Sequence, residues 1–295
     1  MRDVLTAFVG ELGIAETTLA EIENGLVHLP LNIGLIRLDL DSDGRGSEAE
    51  ALWRIFQAVT QADWLTPERA KGLLADFDQS DVPWLRAYCH LLMAMAEFPL
   101  AHDWERAFEV TFPSIFPMPG AAGDKLNEAA DRSEVTGIAD LIAFIHLADW
   151  PVAEPERMRS VLEHLEDIVR LGRENWALIL AETDKGAEWI PNPNQVGVLP
   201  RLQVGDGEVA AWRRFLIEFN DILKGTTLIP HWRFDEGINL RKFFLEPRTF
   251  DLVLLIQGSA ALPYLEKGKE TSAETWNRII GVFGGDFFRY AVWFN

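Results

Sequence analysis

Residues 39–50 place oxygen-bearing side chains at spacings that suit a hard cation. The segment reads Asp-Leu-Asp-Ser-Asp-Gly-Arg-Gly-Ser-Glu-Ala-Glu. Carboxylates at its first, third and fifth positions, a glycine at the sixth and a glutamate at the twelfth are the pattern that surrounds Ca²⁺ with oxygen ligands. The sequence therefore predicts Ca²⁺ as the bound cofactor.

Each predicted ligand has a defined role in this loop. The predicted ligands are the side chains of Asp39, Asp41 and Asp43, the backbone carbonyl of Arg45, Ser47 through a water molecule, and the carboxylate of Glu50. Gly44 is expected to take the sharp turn, which a Cβ atom would penalise. The loop resembles an EF-hand calcium loop, and the resemblance covers these twelve residues only.

The flanking residues depart from the EF-hand pattern. An EF-hand loop follows a helix, but residues 29–38 contain Pro30, Gly34 and alternating leucine and isoleucine, which favour an extended segment. Gly46 occupies the eighth position, where an EF-hand usually carries an aliphatic residue that pairs with a second loop. We therefore predict a solitary strand–loop–helix site, a structural clip that joins the extended segment to a helix beginning at Ser47.

A reading without metal explains part of the same loop. Ser47 and Glu50 form an S-x-x-E capping box, and Asp43-Gly44 is a common turn dipeptide. Neither motif explains Asp39 and Asp41, whose charges beside Asp43 are unfavourable unless a cation compensates them.

A second group of residues could act on a carbohydrate. Glu182, Asp184, Glu188 and Trp189 lie close together in the sequence, beside the long non-periodic stretch 184–206. Paired carboxylates hydrolyse glycosidic bonds, and an exposed tryptophan can stack on a sugar. The alternative function is thus a carbohydrate-binding or carbohydrate-hydrolysing protein. No nucleophile-elbow, P-loop, dinucleotide or zinc-protease motif occurs, so the leading prediction is a non-enzymatic binding or structural protein.

Composition narrows the partners and the compartment. The chain has 295 residues and a net charge of −19, which argues against nucleic acid or an anionic membrane as a partner. No apolar stretch is long enough to predict a membrane span. The first residues do not resemble a signal peptide, yet a lone calcium loop suits a calcium-rich compartment. We expect a periplasmic or secreted protein with a protein or glycan partner, and a cytoplasmic adaptor is the alternative.

Apolar residues recur at helical spacing through most of the chain, which predicts a mainly α protein. The predicted helices cover 3–27 (in two pieces separated near Gly13), 67–76, 82–98, 134–149, 155–183 and 207–224. We expect a helical bundle or array forming one domain over 1–295, with a sub-boundary in 111–133. The aromatic residues at 287–294 are expected to dock into the core or contact a partner. The whole chain resembles uncharacterised bacterial proteins that have an acidic D-x-D-x-D-G loop near the start and a Trp-Phe-Asn ending.

Overall fold

Helices dominate the computed structural model, which confirms the mainly α fold class. The described residues are 1–22, 27–41, 43–54, 57, 65–109, 134–198, 204–285 and 287–294. Their helices are α1 (Arg2–Ala20), α2 (Pro67–Ala70), α3 (Asp81–Leu100), α4 (Glu134–Leu147), α5 (Pro155–Ile179), α6 (Asp206–Leu223), α7 (Leu240–Leu245), α8 (Leu252–Gln257), α9 (Ala273–Val282) and α10 (Phe287–Phe294). Short 3₁₀ helices cover Ile33–Leu35, Glu48–Glu50 and Leu262–Tyr264.

Short strands form four two-stranded pairs within the described part of the chain. The strands are β1 (His28–Asn32), β2 (Leu74–Asp78), β3 (Asp149–Trp150), β4 (Ala187–Glu188), β5 (Val196–Gly197), β6 (Gly237–Ile238), β7 (Phe250–Asp251) and β8 (Leu265–Glu266). Strands β1 and β2 pair antiparallel, with His28 opposite Asp78 and Asn32 opposite Leu74. The helix predicted over 67–76 is therefore wrong beyond Ala70, because pairing with β1 makes residues 74–78 a strand.

The helix boundaries follow the apolar periodicity elsewhere. Helices α3, α5 and α6 match their predicted ranges to within a few residues. The predicted break near Gly13 does not occur, since α1 is continuous from Arg2 to Ala20. A glycine inside a helix costs only about 1 kcal/mol relative to alanine, which the rest of a long helix can offset.

The chain contacts separate into two compact units. Unit 1 contains Met1–Ile14, Cys89–Val169 and Ile217–Thr275, and unit 2 contains Ala15–Tyr88, Arg170–Leu216 and Trp276–Asn295. The single domain over 1–295 remains a prediction, and its proposed sub-boundary in 111–133 lies outside the described residues.

Unit 1 combines an apolar core with a chain of ion pairs. Cys89 is buried there. The guanidinium of Arg157 lies 2.7 Å from a carboxylate oxygen of Glu97 and 2.5 Å from one of Glu154. Glu154 also accepts a hydrogen bond of 2.6 Å from Arg2. Glu97 is buried, and the guanidinium of Arg157 compensates its charge inside unit 1.

Unit 2 has an aromatic core. Trp176 and Trp212 are each 1% exposed, and the ring of Phe294 lies 4.7 Å and 5.4 Å from them between centroids. Phe294 itself is fully buried. Trp176 and Trp212 are thus core residues, and the end of the aromatic segment 287–294 docks into the core of unit 2, one of the two outcomes predicted for it.

Two indole hydrogen bonds extend this core. Trp84 Nε1 donates to the carbonyl of Trp293 at 2.8 Å, and Trp293 Nε1 donates to the carbonyl of Trp189 at 3.0 Å. Helices α3 and α10 and the segment after α5 are thereby joined within unit 2.

In the part of the chain that the structure describes, no helix is both long enough and apolar enough to cross a bilayer.

Candidate functional site

The two ends of the acidic loop are held together by backbone hydrogen bonds in unit 2. The N–H of Leu38 donates to the carbonyl of Glu50 at 3.1 Å, and the N–H of Leu52 donates to the carbonyl of Ile36 at 2.8 Å. Arg37 and Ala51 form a β-bridge between these bonds. The predicted extended approach is present as β1, although Ile33–Leu35 forms a 3₁₀ turn.

The carboxylates of Asp39, Asp41 and Asp43 converge on one exposed point. One oxygen from each lies within 4.8 Å of the others, a spacing at which the three could hold a metal ion. Their other contacts come from the loop backbone: the N–H of Asp43 donates to Asp39 and Asp41 at 3.0 Å and 3.1 Å, and the N–H of Gly44 donates to Asp39 at 3.0 Å. Gly44 has a φ of +81°, so the sharp turn requires glycine as predicted.

Glu50 is buried and supports the loop from inside. One carboxylate oxygen accepts the N–H of Ser47 at 2.7 Å, and the other accepts the N–H groups of Leu40 at 2.8 Å and Asp41 at 3.3 Å. Hydrogen bonds from the Ser47 side chain and from these amides lower the pKa of Glu50 to about 2. The charged form is thus stabilised without a cation, and both oxygens are already acceptors.

The loop ends in the predicted capping box, followed by a different helix start. Ser47 and Glu50 cap each other reciprocally. The helix predicted to begin at Ser47 starts later: Glu48–Glu50 is a 3₁₀ turn, Ala51 is extended and pairs with Arg37, and helix follows at residues 52–54. The N–H of Arg45 donates to Asp43 at 2.8 Å, and the roles of the Arg45 carbonyl and of Ser47 as ligands stay predictions.

The second predicted group also comes together in unit 2. Glu182 and Asp184 follow α5, and Glu188 lies on β4, which contacts β2. The amide of Gln195 donates to Glu182 at 3.1 Å and to Asp184 at 3.2 Å. A Cβ atom on Gly186 would stand 2.5 Å from Glu188 Oε1 and 3.4 Å from Asp184 Oδ1, so glycine permits this close approach.

Two further acids join this group from elements that sequence reasoning did not connect with it. Asp78 ends β2 and Asp81 begins α3. The carboxylate of Asp81 accepts the N–H of Asp78 at 2.9 Å, and Asp78 accepts the N–H of Ser80 at 2.7 Å. Nothing local in the sequence places Asp78 and Asp81 beside residues 182–188.

The pKa values of the acids in this group are shifted in opposite directions. Burial, followed by the charges of Glu182 and Asp184, raises the pKa of Glu188 to about 8. Burial likewise raises the pKa of Asp81 to about 7, whereas the N–H of Gly186 lowers the pKa of Asp184. At neutral pH a protonated Glu188 therefore lies beside an ionised Asp184.

Trp189 packs inward more than a sugar-stacking residue requires. Its ring stacks on Phe77 with centroids 6.3 Å apart, and its edge meets Trp84 at 5.5 Å. Part of its surface is therefore used for packing within unit 2.

Comparison with known proteins assigns no relative to this chain. No protein-family model matches it, and neither a curated protein nor a solved structure does. The EF-hand resemblance thus rests on the acidic loop alone, where three aspartates form a group that could hold a metal ion.

Proposed function

We propose that the protein binds Ca²⁺ at Asp39, Asp41 and Asp43 and uses the ion as a structural clip. The observation that carries the proposal is the convergence of three carboxylates within 4.8 Å on an exposed loop. Like charges at this distance repel one another, and a divalent cation offsets that repulsion. Calcium accepts six to eight oxygen ligands in flexible geometry, so the Arg45 carbonyl, a water on Ser47 and bulk water would complete its shell.

The proposed clip acts on backbone pairing that already exists. The loop spans the bridge between Arg37 and Ala51, and a bound ion would favour the closed loop over the open one. Glu50 would either turn one oxygen to the ion or remain the internal support that its three amide hydrogen bonds make it. Such a site suits a calcium-rich compartment, so we extend the proposal to a periplasmic or secreted location.

Thermal melting with Ca²⁺, with Mg²⁺ and with chelator tests the proposal. A ligand that binds only the folded state adds about 2.7 kcal/mol of stability at 100 times its Kd. We expect Ca²⁺ to raise the Tm of the native chain, with Asp41→Ala abolishing the rise. Asp235→Ala changes an exposed acid of unit 1 and should leave the rise intact. An unmoved Tm in the native chain, or a full rise in Asp41→Ala, contradicts the proposal.

A carbohydrate-acting site at Glu182, Asp184, Glu188 and Trp189 is the second candidate. The observation in its favour is the opposite pKa shifts of Glu188 and Asp184, since a protonated acid beside an ionised carboxylate is the division of roles that glycosidases use. In that case Glu188 would donate a proton to the leaving oxygen and Asp184 would act as nucleophile or base. The two carboxyls, which are hydrogen-bonded to each other, would first have to separate to about 5 Å or more around the sugar. The burial of Glu188 and the packing of Trp189 restrict access to a long glycan.

A glycan-binding and hydrolysis screen tests this candidate. We expect any activity found to be lost in Glu188→Gln and Asp184→Asn. Glu163→Gln, an exposed change on α5, serves as the matched control. The absence of binding and hydrolysis across a broad screen with the native chain would count against it.

A further inference from the structure

A cluster of five acids in unit 2, two of them buried, has no role in the calcium proposal. We define it as the carboxyl cluster: Asp78, Asp81, Glu182, Asp184 and Glu188. Asp81 and Glu188 are each 4% exposed. The ionisable groups that act on Glu188 are Glu182 and Asp184 of its own segment, Asp78 of β2 and Asp81 of α3. All of them are acidic, and Asp76 contributes a further carboxylate oxygen beside Gly186.

The carboxyl cluster lies where residues 182–198 meet β2 and the first turn of α3. The contacts that join this segment to the rest of unit 2 include the stacking of Trp189 on Phe77 and hydrogen bonds from Trp293 Nε1 to the Trp189 carbonyl, from Asn192 Nδ2 to the Ile179 carbonyl and from the Ser80 side chain to Glu182. The hydrogen bonds of Gln195 to Glu182 and Asp184 are internal to the segment. The N–H of Val198 also donates to the carbonyl of Glu188 at 2.9 Å. Closing the segment therefore places its carboxyls against those of the two other elements.

We propose that residues 182–198 form a pH-dependent latch, which is closed while Glu188 keeps its proton and released when Glu188 loses it. The proton passes to solvent, and the carboxylate that remains lies beside Asp184 and Glu182 without a compensating cation among the groups that act on it. Burying an uncompensated charge is costly. Movement of the segment into water relieves that cost and takes Trp189 away from Phe77.

The direction of the pH effect follows from proton linkage. The closed latch holds the proton of Glu188 more tightly than the open one, because the pKa of this group is about 8 when closed. The opening equilibrium therefore rises with pH, by about tenfold per pH unit for one proton, from the ordinary glutamate range up to about pH 8. Asp81, with a pKa raised to about 7, steepens the dependence if it is exposed in the same step.

Amide hydrogen exchange of the full chain between about pH 5.5 and 7.5 tests the latch, with protection factors used to remove the intrinsic pH dependence of exchange. We expect protection in residues 182–198 to fall about tenfold per pH unit. In Glu188→Gln the protection should lose this tenfold dependence on pH, and in Glu163→Gln it should keep the native dependence. Amides of the β6–β8 pair in unit 1 serve as the internal reference. Constant protection in the native chain, or an unchanged slope in Glu188→Gln, overturns the proposal.

A direct titration covers the case in which Glu188→Gln fails to fold. Carboxyl carbon NMR of the native chain should show a glutamate that ionises well above the usual range. Ordinary titration of every glutamate carboxyl would overturn the latch. Both measurements are independent of Ca²⁺, so the latch and the calcium proposal can fail separately.

Discussion

Gly46 lies so close to Arg37 that a Cβ atom at position 46 would stand 2.7 Å from the Cβ of Arg37. Position 46 is where an EF-hand carries an aliphatic residue that pairs with a second loop. In this chain the position is instead pressed against the segment leading into its own loop. The bridge between Arg37 and Ala51 closes the two ends of the loop on each other. Position 46 is a glycine because the closed loop leaves no room there for a side chain.

Replacing Gly46 by alanine should destabilise the protein by about 2 kcal/mol, the usual cost of inserting a methyl group into a tight contact. Urea denaturation in chelator measures this loss. Gly10→Ala is the control, because Gly10 is exposed in α1 and a Cβ there meets nothing within 4 Å. That change should instead stabilise by roughly 0.5–1 kcal/mol. Equal stability of Gly46→Ala and the native chain would contradict the close contact.

Glu50→Gln should weaken the protein at neutral pH and reduce its sensitivity to acid. Because the pKa of Glu50 is lowered to about 2, its ionised form stabilises the fold above the ordinary glutamate range, and this contribution is lost as the pH falls towards 2. Tm values measured in chelator between about pH 2 and 6 should show a smaller pH dependence in Glu50→Gln. Glu48→Gln removes only an exposed ion pair with Arg37, so the native acid response should persist in it.

Glu97→Ala should cost about 2 kcal/mol, because Arg157 loses its buried partner and keeps only its pair with the more exposed Glu154. Glu174→Ala removes a pair with Arg170 in which both side chains are about half exposed, and it should cost less than about 1 kcal/mol. Denaturant unfolding compares the two changes. Equal losses would mean that the Glu97 pair contributes no more than a surface pair.

His102 should remain neutral below the pH at which an ordinary histidine is half protonated. It is fully buried, and burial lowers its pKa although its Nδ1 donates to the carbonyl of Phe98 at 2.7 Å. Nitrogen NMR at about pH 6 should show the neutral ring with the proton on Nδ1, whereas an unperturbed histidine is mostly charged there. Because its pKa is lowered in the folded protein, protonation of His102 at lower pH reduces the stability of the fold. A charged His102 ring at this pH would contradict the assignment.

The parts of the fold that the sequence predicted are those with local causes. Helices α5 and α6 follow from apolar residues at three- and four-residue spacing. The turn at Gly44 could be predicted because glycine readily adopts the positive φ that the turn requires. Strand β2 could not be predicted in this way, because β1, its partner, lies far away in the chain. Its short sequence also continued the helical pattern of α2.

The acidic loop depends on residues that are close in the sequence, whereas the carboxyl cluster also depends on residues that only folding brings together. Asp39, Asp41 and Asp43 lie within five residues, so their spacing alone places them together. Glu182, Asp184 and Glu188 were recognised as neighbours for that reason, whereas Asp78 and Asp81 were not. Their proximity depends on β4 lying against β2, which is a property of the folded unit. The inward packing of Trp189 likewise depends on Phe77 and Trp84.

The composition of unit 2 has a consequence for synthesis on the ribosome. Its core is closed by Trp293 and Phe294, while its first strand pair lies at residues 28–32 and 74–78. Domains generally fold as units while the chain emerges, but unit 2 cannot complete its aromatic core until Trp293 and Phe294 have left the ribosome. Until then the surfaces of Trp176 and Trp212 that Phe294 covers would be exposed, and a nascent chain in that state would need protection from aggregation.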